Sequence, residues 1–324
     1  MAIKRKGAIM PKNSNKTFSQ ARTDFLMEKK GEGLSDASIK TYKQHLSYFF
    51  NCLGDCEIIP VKDFTKNDYI FFQNFIKGDE NKNERTQQTY CKTVKVFLNW
   101  LMDNEYITKD ECFKVTIPKA QKRIKSTYTD EELGELLKDP RHCSYSVYQT
   151  WIFINFCIGT GLRLSSILGI QVKDYSPQEQ TVIINTTKSK LPQTRHLNGE
   201  LCNLLNEYIS VFELNNVDYL FCGSDGKQMT VRGIQDNVKR YNRNHGIEKT
   251  SIHLFRHTYA RKFLENGGSI VDLQRLLDHS NISTTMDYVR DYNIDIGKVQ
   301  DVFNPQAMYG NTKKPKQFNR KKKM

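Results

Sequence analysis

Residues Ser251–Arg261 read S-I-H-L-F-R-H-T-Y-A-R, and Leu276–Arg290 read L-L-D-H-S-N-I-S-T-T-M-D-Y-V-R, with a Gly267-Gly268 break between them. These two runs hold His253, Arg256, His257, His279 and Tyr288, the side-chain types that handle a phosphate. Arginine offers planar donor pairs that match phosphate oxygens, histidine donates or shuttles a proton, and tyrosine carries a potential oxygen nucleophile. Leu254, Phe255, Leu264, Leu273, Leu276 and Leu277 lie between them and would anchor short helices, turning the polar groups toward one cleft.

A chain of 324 residues is long enough for two ordinary domains. Its hydrophobic content of 38%, with 11% aromatic residues, suits a folded globular protein. A net charge of +13 favours a polyanionic partner, nucleic acid before a membrane surface. No apolar run approaches the length of a membrane span, and the basic N-terminus has no apolar signal core, so a cytoplasmic protein is expected. Among eight cysteines the closest pair is Cys52 and Cys56, with no C-x-x-C, which favours reduced thiols over zinc or disulfides. No carboxylate cluster or P-loop is present to call for a metal or nucleotide cofactor.

Residues 1–16 form a basic arm with Lys4, Arg5, Lys6, Lys12 and Lys16. Residues 17–116 are helical in pattern: a first helix around Phe18, Phe25 and Leu26, a second capped by Ser35 and running to about Leu53, a third over Thr65–Ile76 and a fourth over Glu84–Asn104. Lys40, Lys43, Arg85, Lys92 and Lys95 decorate the polar faces, as solvated charges or as a basic face along a DNA groove. Residues 117–126 (I-P-K-A-Q-K-R-I-K-S) read as a linker whose Lys119, Lys122 and Arg123 could follow a phosphate backbone. Thr129, followed by Asp130, Glu131 and Glu132, opens the next helix as an N-cap with acids in its first turn.

The run from Tyr145 to Ile170 is almost wholly apolar; Trp151–Ile158 reads as a buried helix broken by Gly159 and Gly161, with a second helix beginning at Leu162-Arg163. Arg163 is the one positive charge in that run, so it must meet a carboxylate or an anionic ligand. Thr181–Ile184 and Thr194–Leu197 are strands of a hairpin carrying Lys188 and Lys190 toward its tip. Leu201–Phe212 and Val231–Tyr241 are amphipathic helices, the latter with Arg232, Lys239 and Arg240 on its polar side.

Three boxes in order then resemble those of the tyrosine recombinases, the phage-integrase and Xer-like family. They are Gly159-Thr160-Gly161-Leu162-Arg163-Leu164-Ser165-Ser166-Ile167, His253-Leu254-Phe255-Arg256-His257-Thr258-Tyr259-Ala260, and Leu277-Asp278-His279-Ser280 followed by Thr284-Thr285-Met286-Asp287-Tyr288. The resemblance implies a mainly α fold with a small β-sheet: a helical N-terminal core-binding domain over 17–116, then an α+β catalytic domain over 127–303 and a basic tail over 304–324. It implies site-specific cleavage and rejoining of double-stranded DNA through a 3′-phosphotyrosine, with four protomers on two sites and a Holliday junction, without metal or cofactor. Accessory DNA-bending proteins and a C-terminal segment docking on its own or a neighbouring protomer belong to the same implication.

By this resemblance Tyr288 is the nucleophile, with Tyr292 one turn away as competitor, and Arg163 and Arg256 clamp the phosphate. Lys188, with Lys190 as the alternative, protonates the leaving oxygen; His253 handles the tyrosine proton, His279 bonds the phosphate and His257 braces the site. Two departures stand out: Ser166 replaces the family's usual acid supporting Arg163, and Asp278 replaces the usual glycine before His279. A type IB topoisomerase and a catalytically inactive DNA-binding regulator are the alternative functions.

Overall fold

The computed structural model describes residues 16–54, 60–107, 126–140, 143–186, 191–223 and 225–292. The chain divides into two compact units, Met1–Arg123 and Ile124–Met324. The basic arm up to residue 15, Lys119, Lys122, Arg123, Lys188, Lys190 and the C-terminal segment and tail lie outside the described residues.

The first unit holds helices α1 (Phe18–Gly31), α2 (Asp36–Cys52), α3 (Lys66–Lys77) and α4 (Glu84–Asp103). Each start has a local cause. Thr17 and Gln20 form a capping box, Ser35 and Asn83 accept from the backbone N–H groups of Ser38 and Thr86, and Thr65 pairs with Asp68 in a second box. The apolar faces meet in an aromatic core where Phe25, Phe49, Phe50, Phe72 and Phe97 are fully buried. Phe49 meets Phe72 edge-to-face at 4.9 Å and Phe25 meets Phe97 at 5.3 Å, the arrangement the ring quadrupoles favour. Lys40, Lys43, Arg85 and Lys92 are exposed on α2 and α4, and Lys95 is half-buried.

The second unit begins with α5 (Asp130–Leu136), for which Thr129 and Glu132 form the expected capping box. Around it are α6 (Tyr145–Thr160), α7 (Leu164–Leu168), a three-stranded sheet, α8 (Gly199–Val211), α9 (Val231–Asn244), α10 (His253–Glu265), α11 (Ile270–Leu276) and α12 (Ile282–Tyr292). The central helix is α6, packed against α8, α9 and α10, and buried on every side through Trp151, Ile152, Phe153, Ile154 and Phe156. Its polar side chains are satisfied inside the core: Gln149 donates to the Tyr208 hydroxyl at 3.0 Å and to the Cys222 carbonyl at 2.9 Å.

Two expectations about this region are corrected. Gly159 does not break the helix but lies within α6; Gly161 ends it, in the left-handed region at φ 63°. The next helix starts at Leu164, with Arg163 as its extended N-cap residue, so the Arg163 side chain projects from a turn and not from a helix face.

The sheet is antiparallel in the order β1 (Tyr175–Ser176), β2 (Thr181–Ile184), β3 (Gln193–His196), with Val182 opposite Arg195 and Ile184 opposite Gln193. Alternation along β3 puts Gln193 and Arg195 on the same face, and Arg195 is buried there. Helix α10 is fixed early in its length: Tyr128 stacks on Phe255 at 4.4 Å, and the Tyr128 N–H donates to Thr258 Oγ1 at 2.9 Å.

Candidate active site

Two turns and two helices converge. The α6–α7 turn carries Arg163, α10 carries His253, Arg256 and His257, the α11–α12 turn carries Asp278 and His279, and α12 carries Tyr288. Arg163 and Arg256 both bond to the Leu277–His279 turn, and Tyr288 is tied to α10 through His257.

Arg256 is buried, 3% exposed, and its acceptors are main-chain oxygens. Nη1 donates to the Gly161 carbonyl at 2.9 Å, and Nη2 donates to the Leu277 carbonyl and lies 3.0 Å from His279 Nε2. Burial, followed by repulsion from Arg163, pulls its pKa down to about 10, well above neutrality, so the group stays charged. A guanidinium can only donate, so His279 Nε2 accepts here and the ring proton sits on Nδ1, 2.9 Å from Thr285 Oγ1. A chain of contacts thus runs from the α6–α7 turn through Arg256 and His279 to α12.

Tyr288 is 2% exposed, and its hydroxyl lies 2.9 Å from His257 Nδ1. The Tyr288 ring is parallel to that of His279, with centroids 6.3 Å apart. Burial raises the phenol pKa above its ordinary value, while the charges of Arg256 and Arg163 pull it back. The site therefore holds a protonated phenol at neutral pH beside cations that favour its ionised form.

Of the two histidines of α10, His257 is the one bonded to Tyr288. His257, read from the sequence as a brace, is buried and bonded to the Tyr288 hydroxyl. His253, read as the partner of the tyrosine proton, is exposed at the helix start and packs edge-on against His257 at 4.5 Å. It lines a cleft with Leu162, Leu164, Ser251 and Lys239. His253 lies on the same helical face one turn before His257, and its exposure follows from its place as the first residue of α10.

Arg163 donates from Nη1 to Asp278 Oδ2 at 3.2 Å and from Nη2 to the Asp278 carbonyl at 2.8 Å. Ser166, at the position of the absent acid, donates instead to the Thr186 carbonyl at 2.7 Å. Sequence reasoning missed two neighbours. Gln193 donates to Asp278 Oδ1 at 3.0 Å, and the buried Arg195 donates to the Leu276 carbonyl. Both alternate inward along β3, and an arginine on the inward face of a strand is the signal that could have found them. Tyr292 stacks on Tyr288 at 6.0 Å; its buried hydroxyl has no hydrogen-bond partner among the described residues. Of the expected DNA contacts in this unit, Arg232 and Lys239 are exposed on α9, and Arg232 lies 3.9 Å from Asp236.

The described residues contain no helix long and apolar enough to cross a membrane. The model of the phage integrase family matches residues 127–293, slightly more than half of the chain. The tyrosine recombinase XerD of Staphylococcus epidermidis is 25% identical over 282 residues, covering 85% of this chain and 95% of the relative. XerC of the same organism is 26% identical over 299 residues, covering 89% and 98%. Among solved structures, the Tn1549 transposon integrase in complex with a circular intermediate DNA shares the fold at a TM-score of 0.70, with 17% identity over 87% of this chain and 99% of that one. A lambda integrase dimer bound to a COC′ core site does so at 0.69, with 14% identity over 85% and 96%. The fold, the three boxes brought to one cluster and the matched family model agree: the chain belongs to the phage integrase family, the tyrosine-type site-specific recombinases.

Proposed function

We propose that this recombinase cleaves double-stranded DNA by attack of the Tyr288 hydroxyl on a backbone phosphate. The products are a 3′-phosphotyrosine and a free 5′-hydroxyl, and the reverse step on a partner strand rejoins the DNA. The observation that carries this reading is the gathering of Arg163, Arg256 and His279 on one turn beside the His257–Tyr288 pair. An in-line displacement at phosphorus needs a nucleophile, donors to the non-bridging oxygens and an acid for the leaving oxygen.

Arg163 and Arg256 clamp the phosphate oxygens, and His279 donates to the phosphate from Nε2 once its ring proton has shifted there from Nδ1, Thr285 Oγ1 then donating to Nδ1. Removal of the Tyr288 proton falls to His257, which is already in contact with the hydroxyl, with His253 at the open edge of the cleft as the other candidate. Lys188, or Lys190 in its place, protonates the leaving 5′-oxygen. The helical unit, Met1–Arg123, supplies a second DNA-binding surface through Lys40, Lys43, Arg85, Lys92 and Lys95. Four protomers on two sites exchange strands through a Holliday junction, in integration and excision or in Xer-like resolution.

The test is covalent capture on a library of nicked duplexes with a randomised core, in which the short cleaved fragment diffuses away. The expected result is a denaturation-resistant protein–3′-DNA adduct, absent in Tyr288→Phe and retained in Tyr292→Phe. The reverse pattern would overturn the nucleophile assignment. Binding without any adduct would make the protein a DNA-binding regulator, and relaxation of supercoiled plasmid without junction formation would make it a topoisomerase.

A further inference from the structure

We infer that Asp278 is a positioning residue for Arg163, which moves the acid that holds this arginine from its own helix to the turn carrying His279. The inference rests on the reading of Arg163 as a phosphate clamp. Asp278 has φ 47°, in the left-handed region where glycine is at ease and a side chain is not. A residue kept there against its backbone preference needs a use for its side chain, and every oxygen of Asp278 is engaged. Oδ2 and the main-chain carbonyl both accept from Arg163, while Oδ1 accepts from Gln193.

The guanidinium of Arg163 is thus gripped on two nitrogens by one residue, and the carboxylate is itself held from β3. On the arginine's own helix, Ser166 is committed to the Thr186 carbonyl and supplies no charge. The turn that holds Asp278 is pinned in its turn. The His279 N–H donates to the Gln274 carbonyl at 3.1 Å, and Gln274 Nε2 donates to the His279 carbonyl at 3.0 Å. Any displacement of His279 is therefore passed through Asp278 to Arg163, which lies 115 residues from Asp278 along the chain.

Charge supports the same role. Asp278 sets one carboxylate against the guanidinium groups of Arg163, Arg195 and Arg256, and its field acts on the last two as well. The cluster keeps a net positive charge for a phosphodiester, while the repulsion that would push Arg163 away from Arg256 is reduced.

The experiment compares wild type with Asp278→Gly and Asp278→Asn on a duplex already selected by covalent capture with wild-type protein. It reads single-turnover adduct formation, noncovalent affinity and the melting temperature. Asp278→Gly is expected to lower the cleavage rate about 100-fold, as a misplaced clamp does, with DNA bound at least as tightly. Its melting temperature should not fall, since glycine relieves the backbone. Asp278→Asn retains an oxygen for Arg163 and should lose less. Loss of rate and melting temperature together in both variants would reduce Asp278 to a turn residue, and cleavage by Asp278→Gly at or above the wild-type rate would make the carboxylate a competitor of the phosphate. Either result overturns the inference while leaving the Tyr288 chemistry standing, whereas failure of that chemistry shows first as the absence of a wild-type adduct.

Discussion

Replacing Gly161 by alanine tests whether the α6–α7 turn is the anchor of the cluster. Two penalties combine. Gly161 has φ 63°, where an L-residue costs about 1–2 kcal/mol. A Cβ built there would also lie 2.4 Å from Tyr259 Cδ1, 2.8 Å from Cγ and 2.9 Å from Cε1, an overlap with a ring that has no flexible end to move aside. Overpacking of this kind costs about 1–3 kcal/mol, for a total of about 2–5 kcal/mol. For a unit the size of Ile124–Met324 that lowers the melting temperature by about 4–20 °C. Because the Gly161 carbonyl accepts from Arg256 and Arg163 follows two residues later, adduct formation should fall as well. Gly159→Ala is the control. Its Cβ would meet Leu201 Cδ2, the end of a movable side chain, at 3.0 Å, and alanine gains about 0.5–1 kcal/mol inside a helix, so stability should stay near wild type. Scanning calorimetry of the two variants decides the matter. Equal melting temperatures for both, with cleavage intact in Gly161→Ala, would refute the assignment of this turn as the anchor.

Tyr288→Phe should fold and bind DNA, but loss of the bond to His257 costs about 0.5–1.5 kcal/mol, read as a drop of a few degrees in the melting temperature. Arg256→Lys keeps the charge but cannot reach the Gly161 and Leu277 carbonyls and His279 together; adduct formation should slow about 100- to 1000-fold with noncovalent affinity little changed. In the helical unit, His45 is buried with Nδ1 2.8 Å from Thr93 Oγ1 and its ring stacked on Tyr90, and burial lowers its pKa. The unfolded chain takes up the proton first, so the stability of that unit should be lost as pH falls below about 6.5, and His45→Gln should flatten the dependence in pH-resolved melting curves.

Local signals made much of this legible. The caps at Ser35 and Thr129 are short local patterns whose energetics need no distant partner, and the helices they open start where expected. The three boxes pointed to these residues through their resemblance to the family's motifs and not through periodicity, since Arg163 and His279 sit in turns. What escaped was set by distant packing. Which of Gly159 and Gly161 ends the helix depends on the backbone conformation the turn demands, with the Tyr259 ring, about a hundred residues on, packed against it. Which of His253 and His257, one turn apart on the same face of α10, meets Tyr288 depends on where along α10 the helix α12 packs. The partner of Arg163 could not be read from its own helix, since the acid arrives from the α11–α12 turn, and β1, at two residues, is too short to show a pattern.

The burial of Tyr288 has a chemical consequence away from DNA. A protonated phenol with 2% of its surface open to water offers solvent neither access nor an oxyanion. Acylating or nitrating reagents should therefore modify exposed tyrosines first and leave this one untouched in the folded chain. The reactive oxygen is thus kept from small electrophiles by the same packing that holds it beside His257.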